Sequence, residues 1–384
     1  INIDIAGDST FALGLEAQSR GHDLWYYTPD KLSFDKGKVT ARGQSLELFD
    51  NRDAFFKTGA VETRSLDEFD VVLMRQDPPF DMAYITATHI LERLPASTMV
   101  VNNPAEVRNA PEKLLVTHYP DLLPATLISR DSDAIHAFRA KHKDIIVKPL
   151  FGNGGTGVFR IQPNDQNLNS LLEIFFTNSR EPIMLQAYLP AVRDGDKRVI
   201  LVNGEPVGVV NRIPRTGEAR SNFHVGGTAA ASQLTVRDKH ICETIGPELK
   251  RRGLLFVGID IIGIYLTEIN VTSPTGIREI QRLSDIDIAA VTIDAIEQQP
   301  LRLGDRNRLH VRVGRGRRRR RWRRRSLWIS CTCALPVPRI VVDIASAGSS
   351  APVAQSQLAA RSGRRSDEQP RQIPGEASGD GFPP

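Results

Sequence analysis

The chain has 384 residues, 40% of them hydrophobic and 25% charged, enough for two or three ordinary domains with cores of their own. No run of 18 or more apolar residues is present, which excludes a spanning helix, and no basic start followed by an apolar stretch suggests export. The net charge of +5 averages two unlike pieces: residues 299–384 hold 18 Arg, no Lys and 6 acidic residues (+12), whereas the rest holds 32 basic and 39 acidic residues (−7), so the basic balance says nothing about the partners of the acidic body.

In chain order, Asp8-Ser9-Thr10 followed by Phe11, Leu13, Leu15 and Ala17 predicts a capped helix that ends near Gly21, with a strand at 24–27. A helix that opens an α/β unit normally follows a strand, so a strand is expected ahead of Ile1. The segment "DVVLMRQDPPFD" predicts a strand running into a Pro-Pro loop; a helix over 84–94 and a short strand at "MVVNNP" follow. Strands separated by helical patterns imply a parallel sheet covered on both faces. Past residue 110 come a short helix at 113–118, a strand in "LPATLISR", a helix opened by Ser132, then strand, glycine loop and strand in "DIIVKPLFGNGGTGVFRI" and a helix in "NLNSLLEIFF". "PIMLQAYLP" predicts a strand, and "KRVILVNGEPVGVVNRI" a hairpin around Asn203-Gly204. A long polar loop spans 214–232, a helix stopped by Gly253 follows, then the hairpin "LLFVGIDIIGIYLTEINV" and a last helix over 285–298.

Three cysteines, Cys242, Cys331 and Cys333, make neither a disulfide framework nor a four-ligand zinc site, so a reducing cytoplasm is the expected compartment. Cys242, in the helix "HICETIG", reads as a core residue.

The final hairpin carries the first chemical signal. If its turn lies at 263–265, paired residues have numbers summing to about 528, which sets Asp260 opposite Glu268. Opposed residues share a face, and Asn270 joins them because side chains repeat every two residues. Two carboxylates facing each other repel unless a cation lies between them, and hard oxygen ligands without His or Cys suit Mg²⁺. A solvated strand face with chance acids is the alternative. The second signal is "KPLFGNGGTG", where Gly152, Gly154, Gly155 and Gly157 free the backbone to point successive N–H groups at phosphate, with Lys148 just upstream. It lacks the closing Gly-Lys-Ser/Thr of a Walker loop and opens no helix; a flexible hairpin is the alternative.

Taken in order, Lys113, "IIVKPLFGNGGTGVFRI", "MLQAYLP", "DGDKRVILVNGEPV", "RIPRTGEARSN" and "GIDIIGIYLTEINVTSPTGIREI", together with "LMRQDPPFD" near the start, resemble the bacterial glutathione synthetases, which are ATP-grasp ligases. The resemblance covers residues 1–298. It implies an α/β chain with an N-terminal parallel-sheet (pre-ATP-grasp, Rossmann-like) domain at 1–111 and a two-lobed α+β ATP-grasp domain at 112–298. Within the latter, 112–189 would be the ATP lid lobe and 190–298 the magnesium and peptide lobe. The implied reaction joins γ-glutamylcysteine and glycine through an acyl phosphate, giving glutathione, ADP and phosphate. Lys113, Lys148, Gly152, Gly154 and Gly155 would hold the ATP phosphates, and Gln186, Tyr188 and Leu189 the adenine. Asp260, Glu268 and Asn270 would bind Mg²⁺, with Mn²⁺ as an alternative. Arg198, Arg212, Arg220 and Asn222 would receive the peptide carboxylates, the first two also serving as catalytic groups, with Ser273 and Thr275 near the incoming glycine. Arg75 and Asp77 match a first-domain contribution or form a structural ion pair. The polar loop over 214–232 would act as a lid. No membrane partner is implied, and a homo-oligomer is left open.

Two rival readings remain. Another ATP-grasp carboxylate–amine ligase would share the carboxylate hairpin but not "DGDKR" or "RIPRTGEARSN". A nucleic-acid binder would use "GRGRRRRRWRRR", since clustered arginine neutralises phosphate. Against this, residues 299–384 have scattered Pro and Ser and no period beyond one short apolar stretch, which fits a disordered or out-of-frame tail.

Overall fold

The computed structural model describes residues 3–218, 220–223, 226–299 and 339–344. The chain runs through α1 (Ser9–Ser19), β1 (Asp23–Asp35), β2 (Lys38–Leu48), β3 (Phe56–Thr58), β4 (Glu62–Ser65), β5 (Val71–Arg75), α2 (Met82–Leu91), β6 (Met99–Val101), α3 (Pro104–Arg108) and α4 (Glu112–Leu115). It continues through β7 (Thr126–Ser129), α5 (Ser132–His142), β8 (Ile145–Pro149), β9 (Phe159–Ile161), α6 (Leu168–Asn178), β10 (Ile183–Ala187), β11 (Asp196–Val202), β12 (Glu205–Ile213), β13 (Thr228–Ala231) and α7 (Val236–Arg251). Last come β14 (Phe256–Ile262), β15 (Tyr265–Asn270), α8 (Ile277–Ser284), α9 (Ile288–Glu297) and β16 (Arg339–Ile344).

The first sheet has the order β3-β2-β1-β16-β5-β6, with β4 also on β2. Its strands β1, β16, β5 and β6 run parallel, the arrangement expected where helices cover both faces. The antiparallel ribbon of β2, β3 and β4 was not read from the sequence. At the start of α1 the Asp8 carboxylate accepts from the Phe11 N–H at 2.6 Å, satisfying one of the helix's free donors as the Asp-Ser-Thr signal predicts. Between β1 and β5 stands β16, from the far end of the chain, within the region expected to lack order. The expectation of a tail without order otherwise falls on residues outside those described.

The second sheet, β7-β10-β8-β9, carries the glycine loop between β8 and β9. The third, β13-β12-β11-β14-β15, carries the carboxylate hairpin. There Asp260 pairs with Glu268 and Gly258 with Asn270, the register the sequence predicts. An irregularity after Asp260 shifts the remaining pairs to Ile261 with Leu266 and Ile262 with Tyr265, and Gly263 turns the chain at φ +61°. The polar loop beyond β12 contains β13, which adds to the edge of this sheet.

Packing divides the molecule unequally. Trp25, Val72, Met74 and Val341 from the first sheet share a buried cluster with Val257, Ile259 and Ile269 of the third. A second cluster joins Phe11, Leu73, Ile340 and Val342 to Ile200, Phe256 and Ile293. The second sheet has its own small core, where Ile145, Val147 and Leu185 meet Leu171 and Leu172 of α6. Asn102 stitches the first and third sheets: its amide donates to the Phe256 and Val271 carbonyls and accepts from the Phe256 N–H, each at 2.8 Å. A buried amide with this many partners fixes geometry rather than merely tolerating burial.

Candidate active site

A cleft lies between the second and third sheets. The glycine loop forms one wall. Gly154, Gly155 and Gly157 adopt φ of +60°, +81° and +72°, conformations costly for other residues. A side chain at Gly155 would also press on Asn222 and Arg220 at 3.1 and 3.2 Å. Three groups hold this loop from outside the second sheet. The Lys113 ammonium donates to the Gly152 carbonyl at 2.5 Å, Arg220 donates to the Gly155 carbonyl at 3.3 Å, and Phe80 of the Pro-Pro loop stacks on Phe151 with centroids 6.0 Å apart.

Asp260 and Glu268 form the floor, and each meets its own pair of cations. Glu268 Oε1 lies 3.3 Å from Lys148 Nζ and 3.8 Å from Lys113 Nζ. Asp260 receives both forks of Arg198, at 2.5 and 3.0 Å, and Arg212 at 2.9 Å. Arg212 also donates to Asp196 at 2.6 Å, and the Ser221 hydroxyl donates to the same Asp196 oxygen at 2.7 Å. Burial alone would raise both floor carboxyls, but Lys113 and Lys148 hold Glu268 below the usual range, and Arg198 and Arg212 do the same for Asp260. Two other carboxyls respond oppositely. Burial, reinforced by the charge of Glu268, pushes Glu112 well above the usual range. Burial pushes Asp196 up to about 6, against the pull of Arg212. Four buried cations, Lys113, Lys148, Arg198 and Arg212, thus surround the two floor carboxylates, a field suited to a polyanion.

The sequence-predicted residues divide between the cleft surface and the layer behind it. Lys113, Lys148, Gly152, Gly154, Gly155, Gln186, Tyr188, Leu189, Arg220, Asn222, Asp260 and Glu268 all line the cleft. Gln186 donates to the Thr126 hydroxyl at 3.1 Å, and the Arg160 guanidinium covers the Tyr188 ring at 3.7 Å. Arg198 and Arg212 do not line the cleft; they are buried beneath it, engaged with Asp260. Asn270 follows Glu268 on the same strand face, and its side-chain oxygen accepts from the Thr272 N–H and hydroxyl, both at 3.1 Å. Ser273 is buried in the loop beyond β15, and the Thr275 carbonyl accepts from Arg198 at 3.3 Å. Arg75 donates to the Pro274 carbonyl and the Thr10 hydroxyl, both at 3.1 Å, so it braces this loop from the first sheet, and the charge of Asp77 acts on its buried guanidinium. Glu112, Asn153, Asp196 and Ser221 also line the cleft and were missed. Glu112 precedes the singled-out Lys113, and Asp196 lies within the quoted "DGDK", so adjacency was the available signal.

The donor set fits a hard divalent cation: two opposed carboxylates with an amide next on the same strand, all oxygen, each carboxylate now balanced by protein cations. Residues 112–285 match the family described as prokaryotic glutathione synthetase, ATP-grasp domain, and residues 1–108 the corresponding N-terminal domain. The chain belongs to the prokaryotic glutathione synthetases. It is 56% identical over 295 residues to the glutathione synthetase of Mesorhizobium japonicum and 57% identical over 295 residues to that of Rhodopseudomonas palustris, in each case covering 77% of this chain and 94% of the relative. The Pseudomonas putida glutathione synthetase is 45% identical over 300 residues, covering 78% of this chain and 95% of the relative. Among solved structures, the ATP-grasp ligase PsnB, complexed with a minimal precursor, Mg and ADP, superposes with a TM-score of 0.51 at 17% identity, covering 77% of this chain and 99% of that one. That likeness concerns the fold. The glutathione synthetase assignment makes this chain an ATP-dependent ligase that forms glutathione, an enzyme of a family that uses ATP with a divalent metal. Among the described residues no helix is long and apolar enough to cross a membrane.

Proposed function

We propose that the cleft activates the cysteinyl carboxylate of γ-glutamylcysteine as an acyl phosphate and delivers it to the amine of glycine. The observation that carries this reading is the pairing of Asp260 with Glu268 on the floor, directly across from Lys148 and the glycine loop. Asp260, Glu268 and Asn270 would hold Mg²⁺, or Mn²⁺ in its place; bound there, the cation offsets phosphate charge and fixes the orientation of the phosphates.

Lys113 and Lys148 turn from Glu268 to the phosphates, and the amides of Gly154 and Gly155 close around them. Gln186, Tyr188 and Leu189 form the adenine slot. Arg220 and Asn222, already at the cleft surface, receive a peptide carboxylate, and Asp196, whose Oδ1 has no hydrogen-bond partner, accepts from a substrate ammonium. Arg198 and Arg212 act on the reacting carboxylate from behind Asp260, whose oxygens they orient. Ser273 and Thr275 lie on the glycine side.

A carboxylate is a poor acyl donor because its leaving group would be oxide. Its oxygen therefore attacks the γ-phosphorus as the bond to the β–γ bridging oxygen breaks and ADP leaves. The glycine nitrogen then adds to the carbonyl carbon, inorganic phosphate departs with the original carboxylate oxygen, and the amine gives up its proton. The protein contributes positioning and charge neutralisation with no covalent enzyme intermediate. We place the reaction in the cytoplasm, where ATP and reduced thiols coexist.

Carboxylate-labelled γ-glutamylcysteine tests the route: ¹⁸O from the cysteinyl carboxylate is expected in the released phosphate, one atom per turnover. Unlabelled phosphate would rule out the acyl phosphate.

A further inference from the structure

We infer that Thr126 sets the enzyme's preference for an adenine base by holding the Gln186 carboxamide in one orientation, a role that rests on the proposed adenine slot. Thr126 stands on β7, the edge strand of the second sheet, directly opposite Gln186 on β10. The register continues across the sheet through Ile146 of β8 to Arg160 of β9. Opposed residues share a face, so Thr126, Gln186 and Ile146 form one row, with Gln186 and Ile146 at the cleft surface. Lys148 lies two residues along β8, about 7 Å away, which sets this row one step beyond the phosphate-binding lysine. Beside it the Tyr188 ring is covered by Arg160, whose guanidinium grips the Asp144 carboxylate at 3.0 and 2.7 Å.

A threonine hydroxyl carries a single hydrogen. That of Thr126 goes to the Pro124 carbonyl at 2.8 Å, so toward its other neighbour the oxygen can only accept. Gln186 accordingly donates to it through Nε2 at 3.1 Å. The two ends of a carboxamide are nearly alike in shape and its last torsion is soft, so the hydroxyl decides between them: turning the amide over would either oppose two acceptor oxygens or strip Pro124 of its donor. Among the described residues no donor engages Gln186 Oε1, and this buried side chain lines the cleft, so the oxygen is the end left for a ligand.

An acceptor at the base end of the cleft matches a purine whose position 6 bears an amino group and opposes one whose position 6 is an oxo group. A site built around such a bond rejects the analogue that cannot make it, because a buried polar atom is then left without a partner. Thr126 touches no substrate; it acts through Gln186 and is a positioning residue.

Inosine diphosphate keeps the phosphates of ADP and replaces the 6-amino group by a 6-oxo group, so calorimetric titration of each, with Mg²⁺, into the full chain reads the base alone. The parent is expected to prefer ADP at least about 100-fold. Thr126→Val keeps the branched shape and removes the hydroxyl; Gln186 is then free to turn Nε2 toward a 6-oxo group, and the preference should shrink at least about tenfold, mainly through tighter binding of inosine diphosphate. Thr126→Ser restores the hydroxyl and should bring the preference back to within about threefold of the parent. A purely structural loss in Thr126→Val would weaken both nucleotides alike, and that unchanged ratio would overturn the inference. Equal binding of the two nucleotides by the parent would overturn it as well. Neither result bears on carboxylate activation, because ¹⁸O transfer from the cysteinyl carboxylate does not depend on the base.

Discussion

The two walls of the cleft are built differently. The third sheet shares two large buried clusters with the first, is stitched to it by Asn102, and holds its charges in short, multiply bonded pairs such as Arg198 with Asp260. The second sheet has a core of its own and meets the floor through few polar and aromatic contacts: Lys148 with Glu268, Lys113 with Gly152, Arg220 with Gly155, and Phe80 with Phe151. A floor fixed by shared packing and a wall held by exchangeable contacts suit an enzyme that must admit nucleotide and then keep water from an acyl phosphate. Stability and ligand response should therefore separate spatially.

The largest expected effect comes from breaking the contact between the two walls at its charged centre. Glu268→Gln removes a floor carboxylate and leaves Lys113 and Lys148 without their anion. ADP release should fall by about 1,000-fold while circular dichroism stays unchanged; retained turnover would remove Glu268 from the chemistry. Next come truncations of one core at a time. Ile259→Ala in the floor and Leu185→Ala in the second sheet should each cost about 2–5 kcal/mol. Hydrogen exchange should show the first spreading through the first and third sheets and the second confined to β7–β10. Equal spreading in both variants would mean that the molecule has one cooperative core.

The hairpin β14–β15 was legible because its turn glycine and two-residue alternation determine which side chains face each other, and Asp260 with Glu268 followed by arithmetic. The glycine loop was legible for a similar local reason: Lys148 and the glycines are contiguous. The partners of Arg198 and Arg212 were not, because a buried arginine and one that receives substrate look alike in a sequence; only the sheet register places both beneath Asp260. β16 was missed for the opposite reason. Its six residues carry an adequate strand pattern, but pairing with β1 and β5 is a contact across more than 260 positions of chain, and no local signal announces it.

The pH response separates the floor's carboxyls by sign. Glu268 and Asp260, lowered in the folded state, contribute stability that is present above the ordinary carboxylate range and lost as pH falls through their folded values. Asp196, raised to about 6 from 3.8, binds its proton more tightly when folded, so its contribution favours folding at low pH and is lost as pH rises from about 4 to 6. Asp196→Asn removes that opposing slope. Its urea midpoint should climb more steeply over this interval than that of the parent, and parallel profiles would contradict the assignment. The smallest effect concerns Cys242, fully buried with its thiol pushed up to about 12, chiefly by burial. Iodoacetamide at pH 8 should leave it unmodified in the folded chain and label it in urea; labelling in both states would mean that α7 opens readily.

Nucleotide and divalent cation are expected to meet where the glycine loop faces Asp260 and Glu268. Calorimetric titration of ADP with and without Mg²⁺, into the parent chain and Glu268→Gln, addresses it directly. Mg²⁺ is expected to tighten ADP binding at least about tenfold in the parent and to have no effect in the variant. Equal enhancement in both proteins would contradict it.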